Sequence, residues 1–395
     1  MTNIRQHHLL VITAIVCVAL NLRPALAAIG PLLDMIEAAT GSSYTQVSLL
    51  TTLPVLVMGI CALGGRQIND WLSERRGIGL GVALILTACA ARSVFVGTGG
   101  LLLTATMAGI GIGLVQTLIP AFVKRRFAAN AGRVFALYTT GIMGGAAIAA
   151  ASSGGLAELL GWSSALVLWA APALIALPLW LHATRKGASP EAAVADTIRP
   201  ASRAFWRNLR AWELMTFFGI GTGAYTLVLA WLPPFYTSLG WQPSKAGLLL
   251  GWLTLTEVLA GLAISAWVGR FSDRRILLVV VLVTLIVGLA CLIIAPLSLA
   301  LLASVLLGAG IGALFPLSLI LTLDHIDEPT QAGMLLAFVQ GGGYIIASFM
   351  PLLAGVLRDQ FANVAHAWIA MLIGAMFLLL LCLRFSPASY GKING

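Results

Sequence analysis

Charge is what this chain has least of. Asp, Glu, Lys and Arg make up 9% of its 395 residues, where soluble domains carry about 25%. Acid is scarcer than base, 14 residues against 23, which leaves a net charge of +9. The five cysteines (Cys17, Cys61, Cys89, Cys291, Cys382) fall in or at the edge of apolar runs, with no C-x-x-C and no metal spacing. They read as small packing residues, and a disulfide or zinc framework is excluded. No G-x-x-x-x-G-K-[ST] loop is present, so the chain carries no ATP motor of its own. No His, Cys and Glu set has catalytic-metal spacing. No paired acid and base mark a membrane-embedded enzyme. The expectation is therefore no metal, no cofactor and no enzyme.

What is abundant is apolar surface: 59% of residues are hydrophobic and the mean hydropathy is +0.98. Apolar stretches fall at 9–31, 46–65, 78–96, 100–122, 134–157 and 161–182. Six more follow at 211–236, 246–268, 276–294, 297–322, 332–356 and 366–384. A crossing takes about 20 residues. Without water in the bilayer core, such segments are helices or closed barrels. Barrel strands alternate and are about ten residues long, so these runs are helices. The N-terminal stretch, with Arg5, an apolar run and Ala25-Leu26-Ala27, looks like a signal peptide. Asn21 and Arg23 interrupt it, and cleavage would remove a span that the repeat below requires.

The basic residues gather in alternate loops: Arg66, Arg75 and Arg76; Lys124, Arg125, Arg126 and Arg133; Arg185, Lys186, Arg199, Arg203, Arg207 and Arg210; Arg270, Arg274 and Arg275. This is the positive-inside pattern, so the positive charge does not imply nucleic-acid binding. Both termini are expected in the cytoplasm of a bacterial inner-membrane protein. One connection departs from the pattern: 324–331 holds Asp324, Asp327 and Glu328 and no base.

The two halves repeat. Ser73-Glu74-Arg75-Arg76 recurs as Ser272-Asp273-Arg274-Arg275, and Gly109-x-Gly111-x-Gly113 as Gly308-x-Gly310-x-Gly312, both 199 residues later. Six helices per half preserve direction, which makes the repeats parallel about an axis along the membrane normal. The expected architecture is all-α, with 12 transmembrane helices in two pseudo-symmetric bundles. Residues 1–182 form the first bundle, 183–210 a cytoplasmic linker and 211–395 the second bundle. Such a pair encloses a central cavity that opens to either side by rocking.

Particular motifs sharpen this reading. Gly269-Arg270-Phe271-Ser272-Asp273-Arg274-Arg275 fits the G-x-x-x-D-R-R loop of the major facilitator superfamily. Its first-half copy keeps Asp70, Glu74, Arg75 and Arg76 without the full glycine spacing. More narrowly, the chain resembles the cyanate-porter family. The resemblance runs through Asn21-Leu22-Arg23-Pro24, Leu50-Thr51-Thr52-Leu53-Pro54, Gly111-Ile112-Gly113, Gln116 with Pro120, and Lys124-Arg125-Arg126-Phe127. It continues in Ala230-Trp231-Leu232-Pro233, Leu323-Asp324-His325 and Ala337-Phe338-Val339-Gln340-Gly341. It implies a secondary transporter working by alternating access on a small solute, cyanate-like or nitroimidazole-like, since the family includes both. Glu257 stands where the resemblance implies a neutral polar residue.

Arg23 is the sharpest single signal. A mid-membrane Arg costs about 2.5–3.5 kcal/mol on insertion scales and faces protein or water. Its fixed fork of donors suits a small anion. The competing reading is a structural Arg paired with a helix carbonyl or with Asp34. Pro24 frees the carbonyl of Leu20 toward the cavity or a neighbour. Asn21, about 200° around the helix from Arg23, either joins the site or binds another helix. Gln116, Tyr138, Trp231, Gln340 and Tyr344 are the other expected pocket residues, with Trp231 equally suited to an aromatic belt. Glu257, central in its span, is the candidate for proton coupling, because a buried carboxylate resists ionisation. A salt bridge to Arg23 and a neutral structural Glu are the alternatives. Asp70, Glu74, Arg75, Arg76, Asp273, Arg274 and Arg275 are expected to form inter-helix ion pairs at the cytoplasmic face, biasing inward against outward states. The expected partners are a small, anionic solute, the lipid bilayer and protons, with the protein a monomer. An exporter of small aromatic compounds such as nitroimidazoles is the alternative function.

Overall fold

The computed structural model describes residues 2–127, 130–185, 203–326 and 328–390. Residues 186–202, most of the expected linker, and Asp327 of the acidic connection lie outside the described residues. The first half holds α1 (Thr2–Leu20), α2 (Pro24–Ala27), α3 (Ile29–Thr40), α4 (Tyr44–Leu63), α5 (Gly65–Trp71), α6 (Glu74–Ala91), α7 (Thr98–Phe127), α8 (Ala131–Leu160), α9 (Trp162–Val167) and α10 (Ala170–Ala183). The second holds α11 (Arg203–Trp206), α12 (Leu209–Ser238), α13 (Pro243–Trp267), α14 (Arg274–Ile294), α15 (Ala300–Leu323), α16 (Pro329–Phe361) and α17 (Ala365–Cys382). The first span is thus broken into α1, α2 and α3, and the sixth into α9 and α10.

Among the described residues, 11 helices are long and apolar enough to cross a membrane. α6 falls short because its 18 residues begin with Glu74, Arg75 and Arg76. It nonetheless packs along α7 and α10 as the twelfth span. With twelve crossings, α1 begins and α17 ends on one face of the protein, called here the terminal face. The opposite, distal face carries the α3–α4, α8–α9, α12–α13 and α16–α17 turns. Gly41 ends α3 at φ 65°, in the left-handed region, and Ser43 with Gln46 then closes a capping box that starts α4.

The repeat is visible in the packing. A Cβ on Gly109 would come within 2.5 Å of Pro54, and one on Gly308 within 2.5 Å of the Leu253 carbonyl. Pro54 and Leu253 are themselves 199 residues apart. Gly113 lies against Met58 and Cys61 on α4, and Gly312 against Glu257 on α13. Gly111 and Gly310 face α6 and α14. In each half, small residues on two sides of one helix let both neighbours approach to backbone contact.

Prolines inside the helices follow a second pattern. Each removes a donor and frees the carbonyl four residues earlier. Pro233 and Pro234 free the carbonyls of Leu229 and Ala230, which abut Gly30 of α3. Pro351 frees that of Ala347, which accepts from Thr226 Oγ1 at 2.9 Å. Pro316 frees that of Gly312, which abuts Gly261. Freed carbonyls in the bilayer core are covered by a glycine or a hydroxyl on the next helix. The contact at Gly30 joins the two bundles, and the other two lie within the second.

Candidate functional site

The break in the first span makes the site. α1 stops at Leu20 because Pro24 cannot donate to its carbonyl, and that carbonyl packs instead against Gly145 of α8, where a Cβ would sit only 2.2 Å away. The Asn21 side-chain amide donates back to the Cys17 carbonyl at 2.6 Å. Asn21 is therefore committed to its own helix through Nδ2, rather than to a neighbouring one. Arg23 becomes the N-cap of the four-residue α2. Its side chain leaves the α1 axis and points between the bundles.

Arg23 is buried, at 4% exposure. Its guanidinium lies over the Tyr225 ring, 5.4 Å from the centroid, with the Tyr344 hydroxyl within its field. The Tyr138 hydroxyl is close enough to share its field. Three of the chain's six tyrosines thus meet at one cation, brought there by α8, α12 and α16. Phe218 and Phe315 wall the Tyr344 side, with ring centroids 5.6 and 5.5 Å from their neighbours. Glu257 enters from α13, buried at 4% exposure and within the field of the Arg23 charge. It makes no ion pair with Arg23, and neither of its carboxyl oxygens has a hydrogen-bond partner. The Arg23 Nε and the Tyr138 and Tyr225 hydroxyls are likewise buried without partners. Unpaired buried polar atoms cost about 1–3 kcal/mol each. A cluster of them around one guanidinium, at the junction of four helices, is what makes this the candidate site.

The structure sorts the other expected residues. Asp34 is not the partner of Arg23; it bonds Thr237 and pairs with Arg358. Trp231 stands apart from the cluster. It is fully buried, gives its indole N–H to the Pro351 carbonyl at 3.0 Å, and packs on Tyr44 toward the distal face. That placement suits neither an aromatic belt nor a pocket wall beside Arg23. On α16, Tyr344 faces Arg23, whereas Ser348, one turn on, bonds back to the Ile345 carbonyl at 2.7 Å. Gln340, one turn from Tyr344, and Gln116 on α7 are half-buried. Tyr225 is the residue the sequence reading missed. Its signal was a lone hydroxyl-bearing aromatic in the middle of α12, a helix whose apolar faces are buried almost all round.

Comparison with known proteins places this geometry. The model of the Major Facilitator Superfamily matches residues 10–251 and 235–394. The chain belongs to the Major Facilitator Superfamily. Within it, the chain is 36% identical over 381 residues to the cyanate transport protein CynX of Escherichia coli K12, covering 96% of this chain and 98% of that one. It is 30% identical over 385 residues to a 2-nitroimidazole transporter of the same organism, covering 96% and 95%. It is thus a CynX-like member of the superfamily and a multi-pass membrane transporter. Among solved structures, a D-xylose-proton symporter superposes with a TM-score of 0.79 at 15% identity, over 97% of this chain and 98% of that one. That likeness is one of fold alone.

The two bundles meet through α4 with α16, α8 with α13 and α3 with α12. Their polar contacts gather at the distal face. Arg358 of α16 bonds the Tyr44 hydroxyl at 3.1 Å, lies 4.2 Å over that ring, and sits 3.5 Å from Asp34. Asp359 accepts the backbone N–H groups of Tyr44 and Thr45 at 3.0 and 2.9 Å, occupying the N-terminus of α4 from the other bundle. Glu158 accepts the Ser244 N–H at 3.0 Å across α8 and α13. Close α8–α13 approaches lie at Ala147, Ala150, Ala151 and Gly154 against Pro243, Gly247 and Gly251. Toward the terminal face, Thr139 and Thr140 on α8 and Leu262, Ser265 and Trp267 on α13 are exposed. The distal side is closed, and α4 stays against α16 as far as Gly59 and Leu63, which meet Gly341.

The terminal-face charges pair within each bundle. Glu74 accepts from Arg125 at 2.6 Å, and Arg274 donates to Asp324 at 2.7 Å. Positions 125 and 324 are again 199 residues apart, but the charge there is reversed and its partner moves one residue along the loop: Glu74 repeats as Asp273, whereas Asp324 pairs with Arg274, the repeat of Arg75. This explains the acidic 324–331 connection: Asp324 is the counter-ion of Arg274. Arg275 pairs locally with Asp273 at 2.7 Å, which holds that carboxyl below the usual carboxylate range. Arg75 reaches Thr184 Oγ1 and the Leu181 carbonyl rather than a carboxylate. Asp70 and Arg76 are exposed.

Proposed function

We propose that this protein carries a small monoanion of the cyanate type through a site centred on Arg23. The observation that carries the reading is the buried guanidinium ringed by Tyr138, Tyr225 and Tyr344, with the unpartnered carboxyl of Glu257 nearby. The guanidinium offers charge and directed N–H donors, and the tyrosines add hydroxyl donors. A small anion entering there satisfies groups that are otherwise costly to bury. Glu257, unpaired and in the field of Arg23, carries the proton of a symport cycle: an anion on Arg23 offsets the positive charge that favours ionised Glu257, so anion and proton enter together. Gln116 and Gln340 line the same path from α7 and α16. Residues 1–182 and 211–395 rock as two units, joined by 183–210. The terminal face, with both termini, lies in the cytoplasm of a bacterial inner membrane, a reading supported by the bases of alternate loops. The protein acts as a monomer, because each chain holds a complete site.

The alternative cargo is a nitroimidazole-like aromatic. The Phe218, Tyr225, Phe315 and Tyr344 rings favour it, since they offer faces for a planar ring. The deciding experiment is uptake of labelled cyanate and of 2-nitroimidazole by proteoliposomes, with and without a pH gradient. Saturable cyanate uptake that is lost in Arg23→Gln is the expected result. Glu257→Gln is expected to keep cyanate exchange and lose acceleration by an inward proton gradient. Movement of 2-nitroimidazole alone, unaffected by Arg23→Gln, overturns the anion reading.

A further inference from the structure

Among the described residues Arg92 is the second buried arginine, and nothing in the transport scheme above uses it. It is the C-cap of α6 and is 1% exposed, among the largest fully buried side chains. The ionisable group facing it is the thiol of Cys89, so the cation is buried without a carboxylate. Its Nε has no partner, and its Nη1 donates to the Ala25 carbonyl at 3.3 Å. Its own carbonyl is held by Ser163 Oγ at 3.0 Å, which anchors the residue at its base.

Burying a permanent charge away from a counter-ion is costly, and packing alone does not require it, since a leucine or methionine fills such a space. The end of α6 recovers part of the cost, because a cation is favoured at a helix C-terminus. The remaining contact is specific. Ala25 belongs to α2, the four-residue segment whose N-cap is Arg23. α2 is too short to hold itself, since one turn of helix is below the length that propagates. Its orientation is set from outside, by packing against α8, α4 and α7 and by three backbone or polar contacts about the break: the Leu20 carbonyl on Gly145, the Asn21 amide on Cys17, and Arg92 on Ala25. Of these, the Arg92 contact lies beyond the break, on the side of Arg23.

We propose that Arg92 is a positioning residue for anion binding: it pins α2 through the Ala25 carbonyl and so sets the Arg23 guanidinium among the three tyrosines. This rests on the reading of Arg23 as the anion-binding group. Loss of the pin lets α2 turn, which weakens the anion contact without removing either bundle interface.

The test is a mutant cycle in proteoliposomes with cyanate as the solute: wild type, Arg92→Gln, Arg92→Lys, Arg23→Lys and Arg92→Gln/Arg23→Lys, with KM, maximal rate and thermal melting measured for each. Arg92→Gln is expected to raise KM about tenfold with the maximal rate within about twofold. Arg92→Lys, which keeps a charged donor, is expected to recover most of that. In the Arg23→Lys background, Arg92→Gln is expected to add nothing, because the group it positions has already been changed. Multiplication of the two KM effects overturns the proposal, as does lowered melting at unchanged KM. If Arg92→Gln does not assemble, the same cycle is run with Arg92→Lys, and additivity there counts equally against it. A wild-type KM in Arg23→Lys alone refutes the anion reading instead, and is seen without any Arg92 variant.

Discussion

Arg358→Ala should open the distal face. Its guanidinium holds two groups of the other bundle, the Tyr44 ring and hydroxyl at 4.2 and 3.1 Å, and Asp34 at 3.5 Å. The side chain is 11% exposed, so the stacking contact is largely desolvated and contributes about 1–2 kcal/mol. A hydrogen bond to a charged donor is worth about 1.5–3 kcal/mol gross. Asp34 is 33% exposed, and its looser pair adds about 0–1 kcal/mol. The contacts to the Pro234 carbonyl and Trp231 lie within the second bundle and survive opening. Water replaces part of the rest once the face opens, which leaves about 2–3 kcal/mol favouring closure. Its loss shifts the ratio of closed to open states by about 30- to 150-fold, at tenfold per 1.4 kcal/mol. The assay is a pulsed electron–electron distance measurement between spin labels at Leu160 and Leu239, which are exposed on opposite bundles at the distal face. The native cysteines are buried or half-buried and so label poorly. Wild type should show one short distance, and Arg358→Ala a dominant longer one. An unchanged distribution in the variant refutes the assignment of Arg358 as the closing contact.

Gly312→Ala puts a Cβ 2.2 Å from the Glu257 carbonyl oxygen, where backbone has to move. It should destabilise by about 1–3 kcal/mol and lower the melting temperature, while alanine at Gly132, which faces open space, should be neutral at that site. Acid should loosen the α15–α17 corner through His325. Burial holds this imidazole below its ordinary value, against the opposing bond to the Leu321 carbonyl, with Arg210, Asp324 and Glu213 as the charges that act on it. The unfolded chain binds the proton first, so stability contributed above about pH 6.5 is lost as pH falls. A melting curve against pH should show that slope, and His325→Gln should flatten it. Asp324→Asn strands Arg274, which is 16% exposed. It should slow transport, and Arg274→Gln in the same chain should restore part of the rate, because the pair rather than either charge is what the terminal face needs.

The sequence by itself determined the crossings, the repeat and the unusual charges. Each follows from a local cost. A residue in the bilayer core is apolar or expensive, so the spans and the exceptions Arg23 and Glu257 stand out one by one. The glycine spacing at 109–113 and 308–312 was legible for the same reason, since close helix approach needs a missing side chain at fixed intervals. How the helices turn about their axes was decided by the tertiary structure alone. In lipid both faces of a span are apolar, and the amphipathic stripe that orients a soluble helix is absent. Hence the meeting of Tyr138, Tyr225 and Tyr344 on Arg23, drawn from helices far apart in the chain, appears only when the bundles are packed. The same holds for the removal of Trp231 to the distal side, for Arg358 as an inter-bundle cation, and for the pairing of Asp324, the repeat of Arg125, with Arg274. Polarity marks which residues are costly to bury; packing decides which of them meet.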